Sequence, residues 1–196
     1  MNATALLAEN IAAHIDAVRA LMALEAEVDA AGRMAADCLA AGGKLLLCGN
    51  GGSASDAQHF AAELVGRFLE HREPYAAVAL TADAAVLTCI GNDYAFDDVF
   101  ARQVAGLGRA GDLLVAISTS GESENVVRAA RQARHGGLRV LGLTGRTGGR
   151  LAAECDVAIV VPSASTARIQ EAHILVIHTL CELVEHRLRQ DRPAPT

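Results

Sequence analysis

The strongest constraint on the fold of this chain is a set of five short apolar runs without polar alternation: Lys44–Cys48, Ala76–Leu80, Asp112–Ser118, Leu138–Thr144 and Val157–Val161. A strand with one wet face alternates apolar and polar residues; these runs do not, so both of their faces are expected to be covered. Between and after them lie segments with helical spacing, Ser53–Leu69, Ala84–Ile90, Asp97–Leu107, Ser123–His135, Gly149–Glu154 and Ser165–Arg189. Strands that alternate with helices predict an α/β fold, a three-layer α-β-α sandwich on a five-stranded parallel sheet. Ahead of the first strand, Leu6, Ile11, Ile15, Val18, Met22 and Val28 fall at helical steps over about Thr4 to Ala41, and Gly42-Gly43 supplies a stop. Residues 1–41 are therefore read as an N-terminal helical segment of one domain spanning 1–196, with no internal repeat or linker. The last helix is apolar in its middle (Ile174, Leu175, Val176, Ile177), a pattern that calls for burial, against another subunit among other partners. The tail 190–196 carries two prolines and is expected to fray.

A chain of 196 residues can bury roughly two-thirds of its unfolded surface. With no Trp, two Tyr and four Phe, that core must be aliphatic. The formal net charge of -6 argues against a nucleic-acid surface, which needs a basic patch or aromatic platforms flanked by Arg. The five cysteines, Cys38, Cys48, Cys89, Cys155 and Cys181, are odd in number and lack C-x-x-C spacing, which fits reduced thiols better than a disulfide framework or a zinc knuckle. Glu9, His14 and Asp16 interrupt any signal-peptide core, and no apolar run reaches membrane-spanning length. The expectation is a soluble cytoplasmic protein with no membrane or direct nucleic-acid partner.

The first candidate for chemistry is the turn after the first strand, Gly49-Asn50-Gly51-Gly52-Ser53, which opens a helix carrying His59 and Glu63 at i, i+4. Glycines let backbone N–H groups approach an anion, and the helix N-terminus adds partial positive charge. The i, i+4 pair puts an imidazole and a carboxylate on one helix face. The letters also satisfy the dinucleotide pattern G-x-G-x-x-G/A, but the first acid after the second strand is Asp83, well beyond the usual spacing of about 20 residues. The Gly-Lys-Ser/Thr of a nucleotide-binding loop is absent as well. The second candidate is Ser118-Thr119-Ser120-Gly121-Glu122-Ser123, at the end of another strand, a hydroxyl-lined nest for a phosphate. A serine N-cap alone would need only one of these hydroxyls. In an open parallel sheet both turns lie at the carboxyl edge, where ligands bind. The third, Ile90-Gly91-Asn92-Asp93, closes a helix; a plain helix end and a ligand contact both account for it. The fourth is Arg168–His178, in which Gln170 and His178 project within about 80° of each other and could serve one site, whereas His173 points away. His14, His71, His135 and His186 read as surface residues.

These segments together resemble the sugar isomerase (SIS) domain family, and within it the phosphoheptose isomerases. The resemblance rests on C-G-N-G-G-S, A-Q-H-F-A-A-E-L, G-N-D-Y, I-S-T-S-G-E-S, L-T-G-R-T-G-G and R-I-Q-E-A-H-I-L-V-I-H in order along the chain. It implies an aldose–ketose isomerase that converts sedoheptulose 7-phosphate to D-glycero-D-manno-heptose 7-phosphate through an enediol, at the start of the route to lipopolysaccharide heptoses. It also implies zinc, one per subunit, on His59, Glu63, Gln170 and His178. Phosphate contacts fall on Ser118, Thr119, Ser120 and Ser123, and sugar contacts on Asn50, Gly51, Gly52, Asn92 and Asp93, with Ser53, Glu63 and Gln170 also facing substrate. Glu63 and His178 are expected to exchange the proton, and the assembly implied is a homotetramer. The alternative is a non-catalytic relative of the kind that associates with the DnaA replication initiator, which Ala101–Gly108 also resembles; such a scaffold would not need both Glu63 and His178. Sugar-phosphate-sensing regulators of this family carry a fused DNA-binding domain, and nothing in the chain resembles one.

Overall fold

The computed structural model describes residues 2–190. Five strands form one parallel sheet: β1 (Leu45–Gly49), β2 (Ala77–Ala79), β3 (Leu113–Ser118), β4 (Arg139–Gly145) and β5 (Val157–Val161), in the order β2-β1-β3-β4-β5. The helices are α1 (Ala3–Ala20), α2 (Glu25–Ala40), α3 (Gly52–Val65), α4 (Ala84–Asp93), α5 (Ala101–Leu107), α6 (Glu124–His135), α7 (Gly149–Ala152) and α8 (Thr166–Gln190).

Strand pleating explains why the apolar runs are unbroken. Leu45, Leu47, Leu113, Val115 and Ile117 point to one face, where they pack with Met34, Phe60, Val176, Ile177 and Leu180 from α2, α3 and α8. Leu46, Cys48, Leu114 and Ala116 point to the other, against Ile90, Val104, Val126 and Leu151 from α4 to α7. The expected three-layer α/β sandwich is what forms. Coverage on both faces fails at the sheet's edge, however: β2 has only three residues, and Val78 in it is exposed. An outer strand has a neighbour on one side only, and here its covering layer ends.

Several element ends differ from the sequence reading. The N-terminal segment is two helices joined by a tight 3-10 turn, Leu21–Leu24. The segment expected as Asp97–Leu107 is a 3-10 turn at Phe96–Asp98 followed by α5, with Val99 and Phe100 buried between them. The helix expected to reach Leu69 stops at Val65: the Gly66 amide closes the ladder on Ala62, and the amides of Phe68, Leu69 and Glu70 go to Glu185 instead. The apolar middle of α8 is covered mainly by the chain's own α2 and α3, with Leu175 left exposed. By contrast, Leu6, Leu7, Ile11 and Met22 on and just after α1 remain exposed. The carbonyls at the end of α2 are closed by the Gly42 and Gly43 amides, as expected of a Gly-Gly stop. All five cysteines are free; Cys89 alone among them is exposed. No helix among the described residues is long and apolar enough to cross a membrane. Of the tail expected to fray, Gln190 still ends α8, and 191–196 lie outside the described residues.

A buried ion pair ties the segment after α3 to α8. Glu185 accepts the amides of Phe68, Leu69 and Glu70 at 3.0–3.1 Å and Arg72 Nε at 2.8 Å. Arg72 in turn donates to the carbonyls of Glu63 and Leu64, both at 2.8 Å, closing the end of α3. Desolvation pushes the Glu185 carboxyl up, but the three amides and Arg72 outweigh it and hold it below its ordinary value. With both side chains almost wholly buried, Arg72→Ala strands a carboxylate, and stability should fall by roughly 3–5 kcal/mol, read from the urea midpoint. Acid should act in the same direction. A depressed carboxyl stabilises the fold above its unfolded pKa, and that contribution is lost as pH falls through the folded one.

Candidate active site

The order β2-β1-β3 means that the chain winds one way from β1 to β2 and the other way from β3 onward. Loops after β1 and β3 therefore diverge and leave a crevice at the carboxyl edge. Both glycine–serine turns border it. The cavity there, about 300 Å³, is lined by Asn50, Gly51, Gly52, Ser53, Ile117, Ser118, Thr119, Ser123, Thr166 and Gln170. Most of the residues expected to hold phosphate and sugar thus share one space, with the first turn of α3 opening onto it.

Local hydrogen bonds set the shape of the walls. Asn50 and Asn125 exchange side-chain amide bonds of 2.8 and 2.9 Å, which fixes the first turn to α6. In the second turn, the Ser118 hydroxyl lies 3.1 Å from that of Ser123 and accepts from the Gly121 amide. Ser123 stands at the N-cap of α6 yet makes no side-chain cap bond, so its hydroxyl is not committed to the helix. The Ser120 hydroxyl accepts the Glu122 amide and does not line the cavity. Gly121 has φ +68°, and a Cβ there would fall 1.9 Å from the carbonyl oxygen of Gly148. Gly148 and Gly149, after β4, therefore press directly on the back of the second turn, and the Leu151 amide bonds to the Gly121 carbonyl at 2.9 Å.

The ionisable groups sit along the seam of α3 and α8. His59 Nε2 lies 2.9 Å from His178 Nε2 and 3.5 Å from Glu63 Oε1. The seam runs in step: Gly52 meets Gln170 at the cavity, where a Cβ on the glycine would come 2.3 Å from Gln170 Nε2, and two turns on His59 meets His178. Gln170 and His178 share a face of α8 as the spacing predicts, Gln170 beside Gly52 and His178 beside His59. Asn92 and Asp93 are bonded to each other at the exposed end of α4 and are not on the cavity wall.

The donor set suits zinc. Tetrahedral bonds of 2.0–2.1 Å separate two ligand atoms by about 3.3 Å, close to the spacings that His59 makes with His178 and Glu63. Among the described residues, however, no group of three or more His, Cys, Asp or Glu is arranged as a finished metal cage.

Other residues near the seam carried no sequence signal. Asp56, one turn before His59, is buried with Oδ2 unpartnered among the described residues. Burial pushes its carboxyl up to about 6, with His59 pulling the other way. Phe68 stacks on His178, and Thr166 joins the cavity wall. His173 is buried against the Thr144 carbonyl, its ring basicity lowered by desolvation, and stands apart from the site as expected. His14, expected at the surface, keeps 43% of its side chain exposed and pairs with Glu171 at 2.7 Å, because α8 passes close enough to α1 to supply the carboxylate.

Comparison with known proteins agrees with this geometry. Residues 8–145 match the model of the SIS domain family. The phosphoheptose isomerase of Campylobacter concisus is 56% identical over 157 residues, covering 80% of this chain and 83% of that one. The structure of a phosphoheptose isomerase from Francisella tularensis superposes with a TM-score of 0.91 at 39% identity, covering 95% of this chain and all of the other. That of the Neisseria gonorrhoeae phosphoheptose isomerase gives 0.83 at 51% identity, over 93% and 96% of the two chains. A crevice at the switch point, two amide- and hydroxyl-walled turns and this extent of identity lead to one conclusion: the chain belongs to the SIS domain family and, within it, to the phosphoheptose isomerases.

Proposed function

We infer that the chain is an aldose–ketose isomerase that converts sedoheptulose 7-phosphate to D-glycero-D-manno-heptose 7-phosphate. The observation that carries this reading is the meeting of His59, Glu63 and His178 on two helices beside the crevice, with residues 119 apart brought to 2.9 Å. The family likeness favours the isomerase over the DnaA-associating alternative.

In this reading the phosphate occupies the cavity, held by the hydroxyls of Ser118, Thr119 and Ser123 and by the first amides of α3. Ser120 braces the turn from behind. Gly51, Gly52, Ser53 and Gln170 border the sugar, and Asn92 and Asp93 remain candidates for its far end. Isomerisation moves a proton between C1 and C2 through an enediol. An imidazole suits that transfer near neutral pH, so His178 Nε2 is the proposed base, with a Glu63 oxygen as the partnering acid. Zinc held by His59, Glu63 and His178, with Gln170 from the cavity side as a fourth donor, would stabilise negative charge on the sugar oxygens. One nitrogen cannot hold a metal and accept a proton together. With metal bound, the proton would therefore fall to the free oxygen of Glu63. The exposed apolar stripe of Leu6, Leu7, Ile11 and Met22 supports assembly with further copies, and a homotetramer is proposed. A cytoplasmic place at the start of lipopolysaccharide heptose synthesis completes the proposal.

Three measurements test it. Glu63→Gln and His178→Asn should each lower kcat on sedoheptulose 7-phosphate by at least about 10²-fold. The double variant should be little worse than either, because groups acting as a unit are not additive. Parent-level turnover in both single variants would remove the acid–base assignment.

Purified protein should take up about one zinc per chain, and His59→Ala should abolish uptake. Absence of metal by elemental analysis, together with turnover indifferent to chelators, would remove the zinc and leave the acid–base roles.

Ser123→Ala should raise KM several-fold, since losing a hydrogen bond to a charged group costs roughly 1.5–3 kcal/mol. Gly121→Ala should raise it further, because the turn must move off Gly148. An unchanged KM in both would put the phosphate elsewhere.

A further inference from the structure

The His178 ring has two aromatic neighbours. The His59 ring approaches with centroids 5.1 Å apart and planes tilted by 54°, and Phe68 stacks at 5.3 Å with planes 27° apart. Both separations lie within the range of real aromatic pairs. Phe68 is not on a helix or strand: it is the third residue after α3 ends, in a segment that nothing in the local sequence holds still. What holds it is Glu185, whose carboxylate takes the Phe68 amide and the two that follow. Glu185 lies seven residues beyond His178 on α8, close to two full turns, so the two side chains leave the helix on the same face. One helix thus carries both the imidazole and the post that sets a phenyl ring against it. Arg72 completes the connection by binding Glu185 on one side and the carbonyl of Glu63 on the other.

We propose that Phe68, pinned by Glu185 and Arg72, is a positioning residue for the reaction. Its ring fixes the orientation of the His178 imidazole so that Nε2 faces His59 and Glu63. The torsion about an imidazole's ring bond is broad and nearly two-fold, so a ring with an open face could turn Nε2 away from the site. Stacking by Phe68 and the 2.9 Å contact of His59 with Nε2 at the ring's edge remove that freedom. The chain spends few aromatic residues, six in 196, and its interior is otherwise filled by aliphatic groups. Simple filling of space beside α8 would be served as well by leucine, whereas holding a ring parallel to another needs a ring. This rests on the reading of His178 as part of the catalytic pair, as base or as metal ligand, since either task requires Nε2 to face the same way.

The test uses the purified full chain with sedoheptulose 7-phosphate and the variants Phe68→Leu, Phe68→Tyr and His178→Asn. Misplacing a catalytic group by an ångström can cost about 10²-fold, so a ring freed to rotate should lower kcat roughly tenfold in Phe68→Leu. KM should hardly move, because Phe68 is not on the phosphate cavity. Phe68→Tyr, which keeps the ring, should recover most of the loss. The ring proton resonances of His178, assigned by their disappearance in His178→Asn, should shift in Phe68→Leu and return towards the parent positions in Phe68→Tyr. Parent-level kcat in Phe68→Leu, equal losses in the Leu and Tyr variants, or unmoved His178 resonances would each overturn the proposal. Parent-level turnover in His178→Asn would instead overturn the catalytic reading of His178, and the resonances would still report whether the stack exists.

Discussion

The pairing of β1 with β3 at the centre of the sheet is the constraint on which the rest depends. Its register runs from Leu45 opposite Leu113 to Gly49 opposite Ile117, so the two strands end within a residue of one another. The turns that follow must then emerge side by side. The register is secured at the other end, where the Asp112 carboxylate binds the Lys44 amide at 2.9 Å, its ammonium at 2.5 Å and the Arg109 amide at 2.8 Å. Burial would raise that carboxyl, but the Lys44 side chain and the two amides outweigh it and keep it ionised. A slip of one residue would turn every core side chain of β1 to the opposite face and separate the two turns.

Much of this was legible in the sequence, for identifiable reasons. A strand covered on both faces cannot hide polar residues, so each of the five runs stood out, and Val157–Val161 has the very bounds expected. The glycine–serine turns were legible because few residue types can fold so tightly and still offer amides to an anion. His59 and Glu63 were legible as an i, i+4 pair. Strand order was not, because nothing within a strand names its neighbour; Lys44 finds Asp112 across 68 residues of chain. The end of α3 at Val65 was equally hidden, since the competing acceptor for the next amides sits on α8. Asn125 and Phe68 belong to no motif, and each gains its role only when the chain has folded around Asn50 and His178.

The seam between α3 and α8 changes character along its length. At one end the small Gly52 lets Gln170 come close beside the crevice. Two turns on, the imidazoles meet, and beyond them Glu185 and Arg72 close the seam with a buried ion pair. This almost wholly buried ion pair holds the chain in place. His59 and Glu63 lie where the seam is still partly open to solvent.

The Asn50–Asn125 pair carries a final consequence. It braces the crevice with two neutral amides, and the lining residues include no lysine, arginine, aspartate or glutamate. A phosphate entering there meets dipoles whose strength is indifferent to pH. The pH dependence of a phosphate's affinity for such a wall would then come from the ligand, whose second ionisation lies at about 6.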